Sequence, residues 1–253
     1  MKVKYSVALM AAMVVLMAIG APLRAASVTD AQIVSSAKDT YVFKTFLKDD
    51  AIKVESKDGV VTLTGVVANS ARKLLAEMTV TVLPGVKSVD NRLTVKGAEP
   101  TANSDAWIKE KVETTLALHR SVNDSQIEVS VKDGIVTLKG IANNQAKKEL
   151  ATAYAEDVEG VKSVKNEMTV SSTWKATYNK AADYIDDASI TAQVRYALLT
   201  HRSTSVLKTK VETKNGVVTL SGEAKSPAER TLATLLANDI NGVQAVINLM
   251  TIK

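Results

Sequence analysis

Lys57-Asp58-Gly59-Val60-Val61-Thr62-Leu63-Thr64-Gly65 decides the fold, because it returns twice. The second copy is Lys132-Asp133-Gly134-Ile135-Val136-Thr137-Leu138-Lys139-Gly140, and the third is Lys214-Asn215-Gly216-Val217-Val218-Thr219-Leu220-Ser221-Gly222. In each, an Asp-Gly or Asn-Gly pair separates two runs in which aliphatic and polar residues alternate. Such a pair suits a tight hairpin turn whose central residues need positive φ. Alternation then puts Ile52, Val54, Val61 and Leu63 on one face, and Lys53, Glu55, Thr62 and Thr64 on the other. Gly59, Gly134 and Gly216 are therefore read as turn glycines.

Working outward, the match extends over three ungapped windows of 67 residues: Asp30 to Lys96, Asp105 to Ser171, and Asp187 to Lys253. Eighteen positions carry one residue in all three, among them Asp30, Gly59, Leu63, Gly65, Leu75, Gly85, Val89 and Asn91. Recurrence at a fixed spacing is the mark of a repeated structural unit.

Each window opens with an apolar face at helical spacing: Ile33, Ala37, Tyr41; Ile108, Val112, Leu116; Ile190, Val194, Leu198. Ser104–Asp105 and Asp186–Asp187 supply capping residues. The hairpin follows, then a second helix over about Asn69 to Val82 and its counterparts. In the third window that helix begins Ser226-Pro227-Ala228-Glu229, a cap, a proline at the first position and a capping-box glutamate. Gly85, Gly160 and Gly242 are expected to end it as left-handed caps. A closing strand runs from Val86 to Val95. The expected fold is α+β: three tandem αββαβ modules, each a three-stranded sheet covered by two helices. The modules span 27–97, 105–171 and 187–253, joined by linkers at 98–104 and 172–186. Units this small are marginally stable alone, so contact between modules is expected. Trp174, Tyr178 and Tyr184 of the second linker are expected to pack on a neighbour.

Residues 1–26 read as a cleaved signal peptide. Lys2 and Lys4 precede an uncharged run from Tyr5 to Gly20, and small residues follow. Cleavage near residue 25 lowers the net charge from +5 to +2, because it removes Lys2, Lys4 and Arg24 and no acid. The basic balance therefore sits largely in the leader, and nucleic acid is not an expected partner. The chain has no cysteine, which excludes a disulfide framework, a thiolate metal site and an acylated lipoprotein cysteine. The expected location is the periplasm.

The pattern V-x-x-K-(D/N)-G-(V/I)-V-T-L-x-G, followed some 20 residues later by G-V-x-x-V-x-N, resembles the BON domain. The whole chain resembles the hyperosmotically inducible periplasmic proteins, which typically carry two copies; a third is a departure. The resemblance implies an αββαβ fold, an envelope location, binding to phospholipid surfaces or chaperone-like protection of exported proteins, and no catalytic residues.

The residues agree. His119 and His201 stand at equivalent positions, each in His-Arg-Ser, with no carboxylate cluster beside them in sequence to suggest metal or catalysis. They read as cations at helix C-termini. Asn91, Asn166 and Asn248 read as structural hydrogen-bonding residues. No cofactor, metal or small-molecule substrate is expected. What remains is surface recognition. Trp107 and Lys111 lie four apart beside the apolar face of their helix, which ends at His119 and Arg120. These four are the candidate contact with anionic phospholipid, and the alternative is a periplasmic holdase or scaffold for envelope proteins.

Overall fold

The computed structural model describes residues 28–97, 99–123, 125–173, 184–204 and 208–253. The signal peptide, and Trp174 and Tyr178 of the second linker, lie outside the described residues. Tyr184 does not pack on a neighbour as expected: it is 80% exposed.

The first module comprises α1 (Asp30–Asp39), α2 (Tyr41–Thr45), β1 (Ala51–Lys57), β2 (Val60–Val67), α3 (Ser70–Thr81) and β3 (Ser88–Val95). The second comprises α4 (Asp105–Leu118), β4 (Gln126–Lys132), β5 (Ile135–Ala142), α5 (Gln145–Glu156), β6 (Ser163–Asn166) and β7 (Thr169–Val170). The third comprises α6 (Asp187–Thr200), β8 (Thr209–Lys214), β9 (Val217–Ala224), α7 (Pro227–Asn238), β10 (Ala245–Asn248) and β11 (Thr251–Ile252). In each, the middle strand pairs antiparallel with its hairpin partner and parallel with the closing strand, so Leu63 faces Val54 on one side and Asn91 on the other.

The expected hairpins form as Asp58 and Gly59 adopt φ of 54° and 81°. The recurring aspartate at the start of each module holds them. The caps of α1, α4 and α6 are Thr29, Ser104 and Asp186. The following Asp30, Asp105 and Asp187 instead reach across and accept two turn amides each, those of Asp58 and Gly59, Asp133 and Gly134, Asn215 and Gly216. The Asp30 carboxyl is held below its ordinary value by the Ser56 hydroxyl first and these amides second. The recurring asparagine ties helix to sheet. Asn166 donates to the Lys148 carbonyl and the Thr152 hydroxyl and accepts the Met168 amide; Asn91 and Asn248 make the corresponding set. Mid-strand Gly65, Gly140 and Gly222 have φ between +113° and +123°. A Cβ on Gly222 would lie 1.8 Å from the Lys208 carbonyl oxygen.

Three further expectations need correction. Gly85, Gly160 and Gly242 do not end the second helix. Gly85 lies four residues beyond Thr81, in a separate turn at φ +87°, where a side chain would meet Val28 and Ile33. The closing strand of the second and third modules is interrupted at Glu167–Met168 and Leu249–Met250. Tyr41 does not continue the first helix. Thr40 leaves the helical region at ψ 150°, caps α1 through its hydroxyl to the Ala37 carbonyl, and starts α2. The freed amides of Tyr41 and Val42 are taken by Asp186 and Ser189 at the start of α6. The break is thus satisfied by the third module.

That contact is part of a larger one. The first and third modules, farthest apart in sequence, share a continuous apolar core that Leu118 of the second joins, while the rest of the second module's core is separate. The hub is α6, which packs against α3 and α4 as well as its own sheet. It buries Ile190, Val194 and Leu198 and also Ser189, Ala192, Gln193, Tyr196 and Thr200. An amphipathic helix buries one stripe; α6 buries nearly all round.

Candidate functional site

The candidate residues fall into two groups at opposite ends of α4, Trp107 with Lys111 and His119 with Arg120, and each group reaches the third module at the seam between the second and third. The Lys111 ammonium lies 5.1 Å from the Trp107 ring centroid and 5.5 Å from that of Tyr196, a cation held between two aromatic faces. Burial pushes the Lys111 amine down, against the pull of Glu110 and Glu159. Glu110 accepts the Ser70 amide of the first module, and burial pushes its carboxyl up.

At the other end of α4, His119 is 1% exposed. It stacks on Tyr154 with centroids 3.9 Å apart, and its Nδ1 lies 3.2 Å from Asp239 Oδ2. Ser121 and Tyr154 donate to the same carboxylate. Burial works to raise the Asp239 carboxyl, but these donors outweigh it and hold it below its ordinary value. The Arg120 amide donates to the Asp239 carbonyl, and its guanidinium to the Val243 carbonyl.

The arrangement repeats with the modules exchanged. His201 ends α6, its Nε2 lies 3.2 Å from Asp157 Oδ2, and the Arg202 amide donates to the Asp157 carbonyl. Antiparallel bridges join His119 to Ile240 and Val158 to His201. The two modules therefore meet about a pseudo-twofold, each giving the end of its first helix to the turn after the other's second helix. Burial pushes the His201 imidazole down, with Asp157 pulling the other way. The first module has Lys44 and Val82 at the corresponding places and cannot make this pair.

At the seam Ser121 donates to the Asp239 carboxylate and not to the His119 imidazole, so no histidine–serine pair forms there. The cavity between His119, Tyr154, Asp157 and His201 holds about 10 Å³, room for one water at most. No group of three or more potential metal-ligating side chains occurs among the described residues.

A second feature lies on the outer strand of the third module. On the open side of the sheet, the first module carries the ion pair Asp90–Arg92 and the second carries Lys165–Glu167. The third carries Ile247, 48% exposed, and Leu249, 61% exposed. Around the same edge, on the helix side, Leu235 and Ile252 are exposed as well. Charges on edge strands discourage unwanted association, and here they are missing from Ala245 to Ile252. Sequence reasoning passed over this strand, although the ungapped repeat already aligned Ile247 and Leu249 with the charged pairs.

The family model described as BON domain matches residues 29–97, 104–172 and 186–253. Osmotically-inducible protein Y of Escherichia coli (strain K12) is 33% identical over 144 residues, covering 57% of this chain and 70% of that protein. Outer membrane lipoprotein DolP of Haemophilus influenzae is 31% identical over 144 residues, covering 56% of this chain and 72% of that protein. Among solved structures, CdsD, a structural protein of the type III secretion system of Chlamydia trachomatis, aligns at 17% identity and a TM-score of 0.25 over 84% of this chain and 90% of that one.

Proposed function

Since this chain belongs to the BON-domain family, we propose that it is a non-catalytic protein of the cell envelope, acting in osmotic stress by reversible binding to anionic phospholipid surfaces. The relatives' names, one osmotically inducible and one an outer membrane lipoprotein, support the setting. The observation that carries the mode of action is the exchange on the outer strand, where ion pairs in two modules give way to Ile247 and Leu249 in the third. Adjacent exposed apolar side chains where the sister modules carry charge support an interaction site on this strand.

We place the lipid contact there rather than on Trp107, Lys111, His119 and Arg120. Lys111, His119 and Arg120 are engaged with the third module at the seam, and Trp107 packs on Lys111 and on the core of its own module. Lys214 stands exposed on the first strand of the same sheet, and Lys210 beside it is paired with Glu212. A lysine near an anionic surface contributes about 1 kcal/mol, so the attachment is weak and reversible.

Co-sedimentation with vesicles rich in phosphatidylglycerol tests the reading. Binding is expected to exceed that to purely zwitterionic vesicles and to fall with salt. A Trp107→Ala, Lys111→Glu variant should keep most of it. Absence of sedimentation, with suppressed aggregation of an unfolded protein instead, would move the assignment to a periplasmic holdase.

A further inference from the structure

Among the described residues, the first and third modules leave exposed the two kinds of face that the chain buries against each other inside. In the first module the second helix is covered. Ala71, Leu75 and Met78 on α3 are between 1% and 6% exposed, and Val95 beside them is 9% exposed. The cover is the first helix of other modules, α6 foremost, which packs on α3 and buries Ser189, Ala192 and Gln193.

At the corresponding positions of the third module no described residue covers the helix. Ala228 is exposed, Leu235 is 61% exposed and Ile252 is 46% exposed. Between them runs a groove of about 310 Å³ lined by Pro227, Arg230, Thr231, Thr234, Leu235 and Ile252. The second module is less suited, since Glu149 stands where the third has Thr231.

The partner face is free at the opposite end. Gln32, Ser35 and Ser36 of α1 stand where α6 has Ser189, Ala192 and Gln193, with the same small uncharged character, and all three are exposed. The other two first helices, α4 and α6, are already engaged with α3.

We propose that the chain self-associates head to tail, with α1 of one copy seated on α7 of the next in the manner of α6 on α3. The two faces differ, so the contact is heterologous and does not close on itself. It generates short open chains rather than a twofold dimer. The ridge of Ile247 and Leu249 lies on the other side of the sheet, so self-association and surface docking are independent. Several linked copies would also raise a weak surface attachment by multivalency.

Sedimentation velocity of the mature protein over a hundredfold range of concentration reads the association directly. The weight-average mass is expected to rise continuously past that of a dimer. Leu235→Glu blocks one face and Ser35→Arg the other; both positions are exposed, and circular dichroism checks that the fold is kept. Each variant alone should remain monomeric. An equimolar mixture should give a one-to-one heterodimer and nothing larger, because one productive pair of faces survives. A monomeric native protein at every concentration, unchanged association of either variant, or a mixture that stays monomeric would each overturn the proposal.

Discussion

The outer strand of the first module and that of the third hold the same place in equivalent sheets, yet they meet water differently. Ser88-Val89-Asp90-Asn91-Arg92-Leu93-Thr94-Val95 and Ala245-Val246-Ile247-Asn248-Leu249-Met250-Thr251-Ile252 agree where the fold makes demands. The valine packs on the core, the asparagine holds the second helix, and the next apolar residue is buried. The two exchanges of charge for apolar surface, Asp90 for Ile247 and Arg92 for Leu249, fall on the side away from the helices. In a repeat protein the copies serve as controls for one another. A shared residue reports the frame, and a divergence on an exposed face reports what one copy does alone.

The frame should fail most heavily where α6 is buried. Tyr196 is fully buried at the hub of three modules. Tyr196→Ala is expected to cost about 3–5 kcal/mol in urea unfolding. Ser36→Ala, on the exposed face of the equivalent helix α1, should stay within about 0.5 kcal/mol. Similar values for the two would mean that α6 is not the hub.

Next in size is the glycine that all modules share. Gly222→Val places a branched side chain at positive φ against a carbonyl oxygen. It should destabilise the third module by roughly 3 kcal/mol or more. A stable, folded variant would contradict the strand geometry.

The seam should respond to acid. The His201 imidazole is pushed down by burial, so the folded state favours its neutral form. Below the unfolded value of about 6.5 the unfolded chain binds the extra proton, and the stability that this group supports falls as pH drops through that range. Asp239, held below its ordinary value, adds a further loss below about pH 4. A nuclear magnetic resonance titration of the His201 ring should give a midpoint under about 6.5. A midpoint above that value would reverse the sign.

Much of this frame is legible in the sequence. The Asp-Gly and Asn-Gly turns, the alternation around them and the asparagine all declare themselves by threefold recurrence, because local chemistry dictates them. The break at Thr40 does not, since the amides it frees are satisfied by Asp186 and Ser189, some 145 residues away. The reciprocal histidine–aspartate pairs were half visible. His119 and His201 stood out, but Asp157 and Asp239 belong to opposite modules, and a pseudo-twofold contact leaves no local pattern. The burial of α6 did leave a sign. Beyond its first residue it carries one charge, Arg195, where α4 carries Lys109, Glu110, Lys111 and Glu113.

The smallest structural change has the sharpest functional consequence. Ile247→Asp with Leu249→Arg gives the third module the surface pair of the first, at positions where that pair is already accommodated. Unfolding should shift by less than about 0.5 kcal/mol. Sedimentation of this variant with phosphatidylglycerol-rich vesicles, beside the native protein, is the most direct test of the central claim. The account predicts a folded protein that has lost at least tenfold in vesicle affinity; native-like binding by the folded variant would contradict it.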